Sequence, residues 1–279
     1  MPISFFSAFV KLQLIGKNIH LTLFSTWLLL VCSELYAQTT PGEKKVVVTS
    51  IRPIELIVKS LSGDLYSTRS IVSGSQSPHH ISLKPSQLKL IREADLFIWV
   101  DPEFEYFLSR SVKALQENKV LRLSTLSRLQ WPHTESEHVH NDHERSLNHG
   151  HGHAGHDFHL WLDPRNTNVI VESVAKKLIS LDGKNEPLIT ERKIKLLRAL
   201  NEIELRWLAE FAGFEEMPYI AFHAAYGHFE NFVNLHASIT VNDVPDEQIS
   251  ARQLRQLKQR ASNSVCILAD QSRVKQLLS

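Results

Sequence analysis

The sequence has little net charge, few cysteines and no long apolar run. Its 31 basic residues almost balance 30 acidic residues, so charge gives no general reason to expect binding to nucleic acid or to an anionic membrane. The clearest apolar run, Leu21 to Val31, is short for a membrane span. Of the two cysteines, Cys32 and Cys266, the second lies in a strand-like run, SVCILAD, where a buried thiol is the simplest interpretation.

Residues 1–37 have the pattern of a cleavable signal peptide. Lys11 and Lys17 precede the apolar run, and Ala37 is a small residue before a plausible cleavage point. An uncleaved anchor is the alternative, and the bulky Val31 argues against lipid attachment at Cys32. We therefore expect export, which leaves a single cysteine in the mature chain.

After residue 44, short apolar runs alternate with helical patterns. KVVVTS precedes an amphipathic stretch closed by Gly63, and Tyr66–Val72 has the pattern of a second strand. DLFIWV has the pattern of a buried strand, followed by a helical pattern over residues 104–115. Later, PYIAFH, SITVND and VCILAD alternate with helical segments, one of them after Pro245. Two long helical stretches, near Asn166–Leu181 and Ile189–Phe211, lie between these halves. The alternation predicts an α/β fold with two lobes of mostly parallel sheets flanked by helices, joined by a helix. Ligands of such folds bind at the carboxyl ends of the strands.

The expected domain boundaries follow from this pattern. They are a signal peptide at 1–37, an N-terminal α/β lobe at 38–130, a flexible histidine-rich loop at 131–158, the end of the first lobe and the linking helix at 159–184, and a C-terminal α/β lobe at 185–279.

A histidine-rich tract extends from Trp131 to His156, without periodicity and with too little apolar surface to order itself. We expect loose zinc sites there, weaker than a central site, because ordering the chain costs roughly 1–2 kcal/mol per residue. The tract could gather zinc, sense its excess, or serve only as a solvated spacer. The accessory ligands would be His138, His140, His143, His149, His151, His153 and His156, mixed with the acids Glu135, Glu137, Asp142, Glu144 and Asp157.

Three other histidines lie at predicted strand ends or at the edge of the tract. His79 follows the second predicted strand, His159 begins HLWLDP, and His223 ends YIAFH. Imidazole suits Zn²⁺, and three nitrogens leave one position for a fourth donor. A hydrogen-bonded structural role is the alternative for each, and spacing alone does not bring the three together.

The stretches VVTSIRPIELIV, SPHHISLKPSQLKLIREADLFIWVDPEFEYFL, HLWLDP and FHAAYGHFE resemble the high-affinity periplasmic zinc-binding proteins that serve zinc ABC importers. The similarity extends from about Lys45 to the chain end. The resemblance implies a long rigid helix between the lobes, a metal site in their cleft, and His79, His159 and His223 as ligands. His80 is not among the ligands that the resemblance implies, because relatives vary at that position.

The resemblance also implies a function. We expect a periplasmic protein, not an enzyme, that binds Zn²⁺ as transported ligand and delivers it to a membrane permease. We also expect a monomer that binds no nucleic acid. Manganese-binding relatives replace an imidazole with carboxylate, so three histidines favour zinc, although copper or nickel could bind the same nitrogens.

The sequence departs from the family after the helix-like SRVKQLLS, where members continue and often carry a second cysteine that pairs with the counterpart of Cys266. Either a truncated gene model or a shortened functional protein would account for this. Two rival functions also remain open. One is an exported zinc hydrolase, with Glu230 as the nearest candidate base. The other is a zinc-buffering or adhesion protein that uses the tract alone.

Overall fold

A computed structural model describes residues 44–72, 81–132, 157–236, 238–242 and 266–268. Several predictions fall outside these ranges: the signal peptide, Cys32, the helix after Pro245, His79, His80, and the histidines of the tract from His133 to His156. The compact unit described below is drawn from Lys45–Ser279. None of the helices within the described ranges has the length and apolar character needed to cross a membrane.

The first lobe contains a four-stranded parallel sheet. The strands are β1 (Val46–Thr49), β2 (Ser67–Ser70), β3 (Leu96–Trp99) and β4 (Val120–Arg122), in the order β2-β1-β3-β4. β1 is central, with Val47 beside Thr68 of β2 and beside Leu96 of β3. All four strands end at the same edge, which is where the sequence predicted ligands to bind.

Helices cover both faces of this sheet. They are α1 (Arg52–Ser62), α2 (Pro85–Glu93), α3 (Ser109–Val112), α4 (Pro164–Leu181) and α5 (Glu186–Phe211). Successive residues of β3 enter opposite cores, with Ile98 in the cluster below α1 and α4, and Phe97 in the cluster below α2 and α3. A strand buried on both faces needs apolar residues at every position, which confirms the interpretation of DLFIWV.

The start and end of α1 also follow the sequence. Pro53 lies in its first turn, and Gly63 ends it with φ of 54°, a backbone conformation that residues with a Cβ rarely adopt. A Cβ at Gly63 would lie 2.9 Å from Arg192 Nη1 of α5. One predicted helix is shorter than expected: residues 104–115 form a 3₁₀ turn, Tyr106–Leu108, followed by the single turn α3.

The second lobe has a three-stranded parallel sheet among the described residues. Its strands are β5 (Tyr219–His223), β6 (Ser238–Asn242) and β7 (Cys266–Leu268), in the order β6-β5-β7, and α6 (Gly227–Val233) follows β5. α5 contacts both groups of elements. Ile189 near its start is buried in the first core, and Phe211 at its end packs 5.2 Å from Phe229 of α6, centroid to centroid.

The long helix that contacts both lobes is thus residues 186–211. The sequence-based boundary placed the linking helix within 159–184, and α4, which fills that range, packs within the first core. The α/β architecture of two lobes with a long helix agrees with the prediction, while the residue boundaries stay predictions.

Candidate metal site

His159 is held at the start of α4 by a short, well-capped segment. Its carbonyl oxygen accepts a hydrogen bond from Leu162 N at 3.0 Å within a 3₁₀ turn. Asp163 then caps α4, with Oδ1 accepting from Arg165 N at 2.8 Å and Pro164 at the first helical position. The turn, the cap and the proline together fix where the His159 backbone lies.

The His159 ring is oriented by Asp157. Asp157 Oδ1 lies 2.7 Å from His159 Nδ1 and accepts from His159 N at 2.9 Å. Because a carboxylate oxygen only accepts, the ring proton is assigned to Nδ1. The basic lone pair of the neutral ring is then on Nε2, the atom that would bind a metal. A carboxylate behind a ligating histidine fixes its tautomer and increases its basicity.

Asp157 is suited to this role because it stays ionised while buried. Burial alone would raise its pKa, but the hydrogen bonds and charge of His159, with the nearby His228, hold the pKa of Asp157 below its ordinary value. Its second oxygen, Oδ2, has no hydrogen-bond partner within the part of the chain that the structure describes.

Two aromatic rings enclose His159. Phe104 contacts it edge-on at 5.2 Å between ring centroids, and Trp161 does so at 5.4 Å. The His159 side chain is only 12% exposed. Apolar walls around a metal ligand limit solvent access and strengthen electrostatic interactions.

The turn that presents Phe104 is built from buried charges at the end of β3. Glu105 Oε2 accepts from Val100 N at 2.8 Å, and Asp101 Oδ2 accepts from Arg122 Nη2 at 2.6 Å. Burial raises the pKa of Glu105 to about 7, although the Ser50 hydroxyl and the backbone N–H groups favour its ionised form. The carboxyl edge of the first sheet is thus fixed next to His159.

The structure locates the other two predicted ligands only in part. His79 lies outside the described residues, in the segment after β2. The backbone of His223 ends β5, opposite Asn242 of β6, and its side chain is not described. Among the side chains that are described, no group of three His, Cys, Asp or Glu could hold a metal ion. His159 is thus the one predicted ligand with a described side chain.

Glu230, the candidate base of the hydrolase alternative, contacts the residue that begins β5, whereas His223 ends that strand. Its Oε1 accepts from the hydroxyl of Tyr219, the first residue of β5, whereas His223 is the last. Four strand residues cover about 13 Å. Glu230 is therefore engaged near the opposite end of the strand from His223.

The sequence interpretation missed the role of Asp157 and left His228 unassigned. It had grouped Asp157 with the acids of the tract, whereas the carboxylate contacts His159. The signal was local, because an Asp two residues before a histidine commonly accepts from that residue's backbone N–H. His228 is almost fully buried and lies against Asp157 and Asn166. No local pattern indicates a contact between residues 62 to 71 positions apart.

Curated relatives cover most of the chain. It is 29% identical over 239 residues to the high-affinity zinc uptake system protein ZnuA of Yersinia pestis, covering 80% of this chain and 74% of that protein. It is 28% identical over 285 residues to the protein of the same name from Brucella abortus strain 2308, covering 91% and 84%.

Solved structures share the fold. A crystal structure of ZnuA aligns with a TM-score of 0.63 and 22% identity, over 79% of each chain. The periplasmic zinc binding protein TroA from Treponema pallidum aligns with a TM-score of 0.66 and 18% identity, over 84% of this chain and 82% of that one. At these identities the likeness concerns the two-lobed α/β fold.

A family model covers nearly all of the unit described above. The model described as zinc-uptake complex component A, periplasmic (ZnuA), matches residues 47–278. The match includes both sheets, α5 and His159 with its surroundings. The chain therefore belongs to the ZnuA family of periplasmic zinc-uptake components.

Proposed function

We propose that this protein captures Zn²⁺ outside the inner membrane and delivers it to the permease of an ABC-type zinc importer. The observation that carries the proposal is His159, whose ring Nδ1 is held by the Asp157 carboxylate and whose ring is enclosed by Phe104 and Trp161. The relatives named high-affinity zinc uptake proteins support zinc as the metal.

The proposed ligands are His79, His159 and His223. His79 follows β2 in the sequence, and His223 ends β5. The carboxyl ends of parallel strands are where α/β folds bind ligands. Three imidazoles suit Zn²⁺ better than Mn²⁺, which prefers oxygen donors. Binding from both lobes would make cleft closure and metal capture one event.

The protein acts, in this proposal, as a monomeric periplasmic binding protein and not as an enzyme. Glu230 is engaged with Tyr219, which weakens the hydrolase alternative. Glu230→Gln is expected to leave zinc affinity unchanged, and zinc-loaded wild type is expected to show no hydrolysis. Metal-dependent hydrolysis that is lost in Glu230→Gln would favour the enzyme instead.

The test of the site is zinc titration, by competition with a chelating dye, of wild type and of His79→Ala, His159→Ala and His223→Ala. His236→Ala is the matched control, because His236 is an exposed histidine that is not among the proposed ligands, and its backbone N–H donates to the carbonyl oxygen of Glu215. We expect loss of tight binding in the three variants and none in the control. Unchanged tight binding in all three would refute the site, and tighter binding of Mn²⁺ than Zn²⁺ would favour a manganese receptor.

The histidine-rich tract is proposed as an accessory that gathers zinc. Pro132 and Asp157 both contact the position of Gly227, with Pro132 Cγ 3.5 Å and Asp157 Cβ 3.7 Å from where a Cβ would stand. A short Gly-Ser linker can therefore replace residues 134–155 without moving either end. Tight binding should survive, while the number of weakly bound zinc ions falls. Loss of tight binding would favour a buffering protein that uses the tract alone.

A further inference from the structure

His228 extends from α6 of the second lobe into the first-lobe part of the site. Its ring is almost fully buried. Nε2 lies 2.6 Å from the carbonyl oxygen of Asp157, and Nδ1 lies 3.1 Å from Asn166 Nδ2 at the start of α4. The Trp131 ring packs against it at 5.7 Å between centroids.

The proton of His228 can be assigned from these partners. Asn166 Oδ1 accepts from Gln130 N at 2.7 Å, and its Nδ2 donates to Gln130 O at 2.8 Å, so the amide orientation is fixed. The second Nδ2 hydrogen then donates to His228 Nδ1. Since the carbonyl oxygen of Asp157 only accepts, Nε2 carries the proton. His228 is therefore neutral, with each ring nitrogen making a directed hydrogen bond.

His228 contacts Asp157, and Asp157 is the residue that orients His159. The Asp157 carboxylate binds the ring of His159, while its carbonyl oxygen accepts from His228. Gly227, the first residue of α6, packs against the same side chain: a Cβ there would lie 2.9 Å from Asp157 Oδ2. α6 therefore fixes both the backbone and the carboxylate of Asp157.

A second contact aligns α6 with the start of α4. The guanidinium carbon of Arg165 lies 5.0 Å from the centroid of the Phe232 ring. Phe232 and His228 are four residues apart and so share one helix face. This face meets Arg165 and Asn166, which are adjacent on α4. The orientation of the His228 ring is thus defined by helix packing as well as by its hydrogen bonds.

We propose that His228 is a positioning residue of the zinc site, which holds Asp157 from the second lobe and so sets the orientation of His159. The inference rests on the proposed function, because it requires His159 to bind zinc. Contact between α6 and Asp157 then contributes to zinc affinity although His228 touches no metal. Without the hydrogen bond from His228 to its carbonyl oxygen, Asp157 would hold the His159 ring less firmly.

The test compares two variants of similar polarity. The amide nitrogen of His228→Gln can replace Nε2 as donor to Asp157, whereas the amide oxygen of His228→Asn replaces only Nδ1, toward Asn166. Loss of an outer partner commonly weakens metal binding 10- to 100-fold, so we expect about tenfold weaker zinc binding for His228→Asn. His228→Gln should stay within about threefold of wild type by the same reasoning. Equal affinities of the two variants, or a wild-type affinity of His228→Asn, would overturn the proposal.

A double-mutant cycle separates positioning from general stability. In a protein that already carries Asp157→Ala, His228→Asn should change zinc affinity less than about twofold, since residues acting through one contact are not additive. If the two substitutions instead lower zinc affinity by independent factors that multiply in the double variant, the proposal is contradicted. Titration of His159→Ala in the same series distinguishes the two hypotheses. If that variant binds zinc like wild type, the proposed function fails; if it loses zinc while His228→Asn does not, only the role of His228 fails.

Discussion

Asp157 Oδ1 binds both the backbone N–H and the ring Nδ1 of His159, at 2.9 and 2.7 Å. One carboxylate oxygen thus fixes the position of the residue and the tautomer of its ring. The sequence-based ligand assignment included His159 but not Asp157, whereas in the structure the residue that orients the His159 ring lies two positions earlier.

Removing the Asp157 carboxylate should weaken zinc binding without removing a ligand. We expect Asp157→Ala to lower zinc affinity about 10- to 100-fold, the usual effect of losing a carboxylate behind a ligating histidine. Asp157→Asn should lose less, because its amide oxygen can still accept from His159. The measurement is zinc titration, with the exposed Asp64→Asn as control. Wild-type affinity for Asp157→Ala would contradict the proposed role.

A methyl group at Gly227 should perturb the site from the second lobe. In Gly227→Ala the Cβ would stand 2.9 Å from Asp157 Oδ2, so the carboxylate or α6 must shift. We expect weaker zinc binding by about tenfold, within the range seen for outer-shell changes. Gly183→Ala is the control, since no atom lies within 4 Å of its added Cβ. Equal zinc affinities of the two variants would show that the Asp157 carboxylate tolerates displacement.

Glu105 should make stability fall as pH rises. Its folded pKa of about 7 exceeds the ordinary value of 4.5, so the folded state binds more protons between these values. Its contribution is therefore fully present below pH 4.5 and is lost as pH rises through about 7. Glu105→Gln, which is neutral at every pH, should exceed wild type by about 1–3 kcal/mol in unfolding free energy at pH 8. Denaturant unfolding of the metal-free protein at pH 5 and 8 tests this. A constant difference between the two proteins would contradict it.

His228 should have the opposite pH dependence. Burial lowers its pKa below 6.5, and Asp157 and Asp163 offset only part of that effect, while His159 adds to it. The unfolded chain then binds the proton more readily, so stability is fully present above pH 6.5 and is lost as pH falls through the folded pKa. In the metal-free His228→Phe variant, this loss of unfolding free energy at low pH should disappear. Parallel pH profiles for wild type and variant would indicate that His228 does not titrate on unfolding.

Sequence patterns predicted the elements well where the signal is local. The continuous apolar run of β3, Pro53 in the first turn of α1 and Gly63 at its end each follow from a rule about a few adjacent residues. The helix predicted over residues 104–115 was too long. There, buried polar contacts of Glu105 and Asp101 shape the chain into a turn, and periodicity carries no information about such contacts.

For the candidate site, too, local patterns predicted some features, and contacts between distant residues determine the others. His159 could be selected because imidazole chemistry and a family motif coincide at one position. The proposed effect of His228 on His159 could not be predicted, because it depends on the contact between His228 and Asp157. These two residues are separated in the sequence by the whole of α4, α5 and β5. Packing of α6 on the start of α4 creates this contact. The assignments of His79 and His223 as ligands stay predictions.

The meeting of Pro132 and Asp157 at Gly227 has a consequence for how such a protein can change. Because Pro132 and Asp157 lie close to one position, the segment that joins them can gain or lose residues at an entropic cost that grows only with the logarithm of its length. Insertions and deletions between these anchors need not disturb either sheet. The number of histidines carried there can therefore vary without a change in either sheet, and a reporter domain inserted there would be linked through a few residues to Asp157, the residue that contacts the His159 ring.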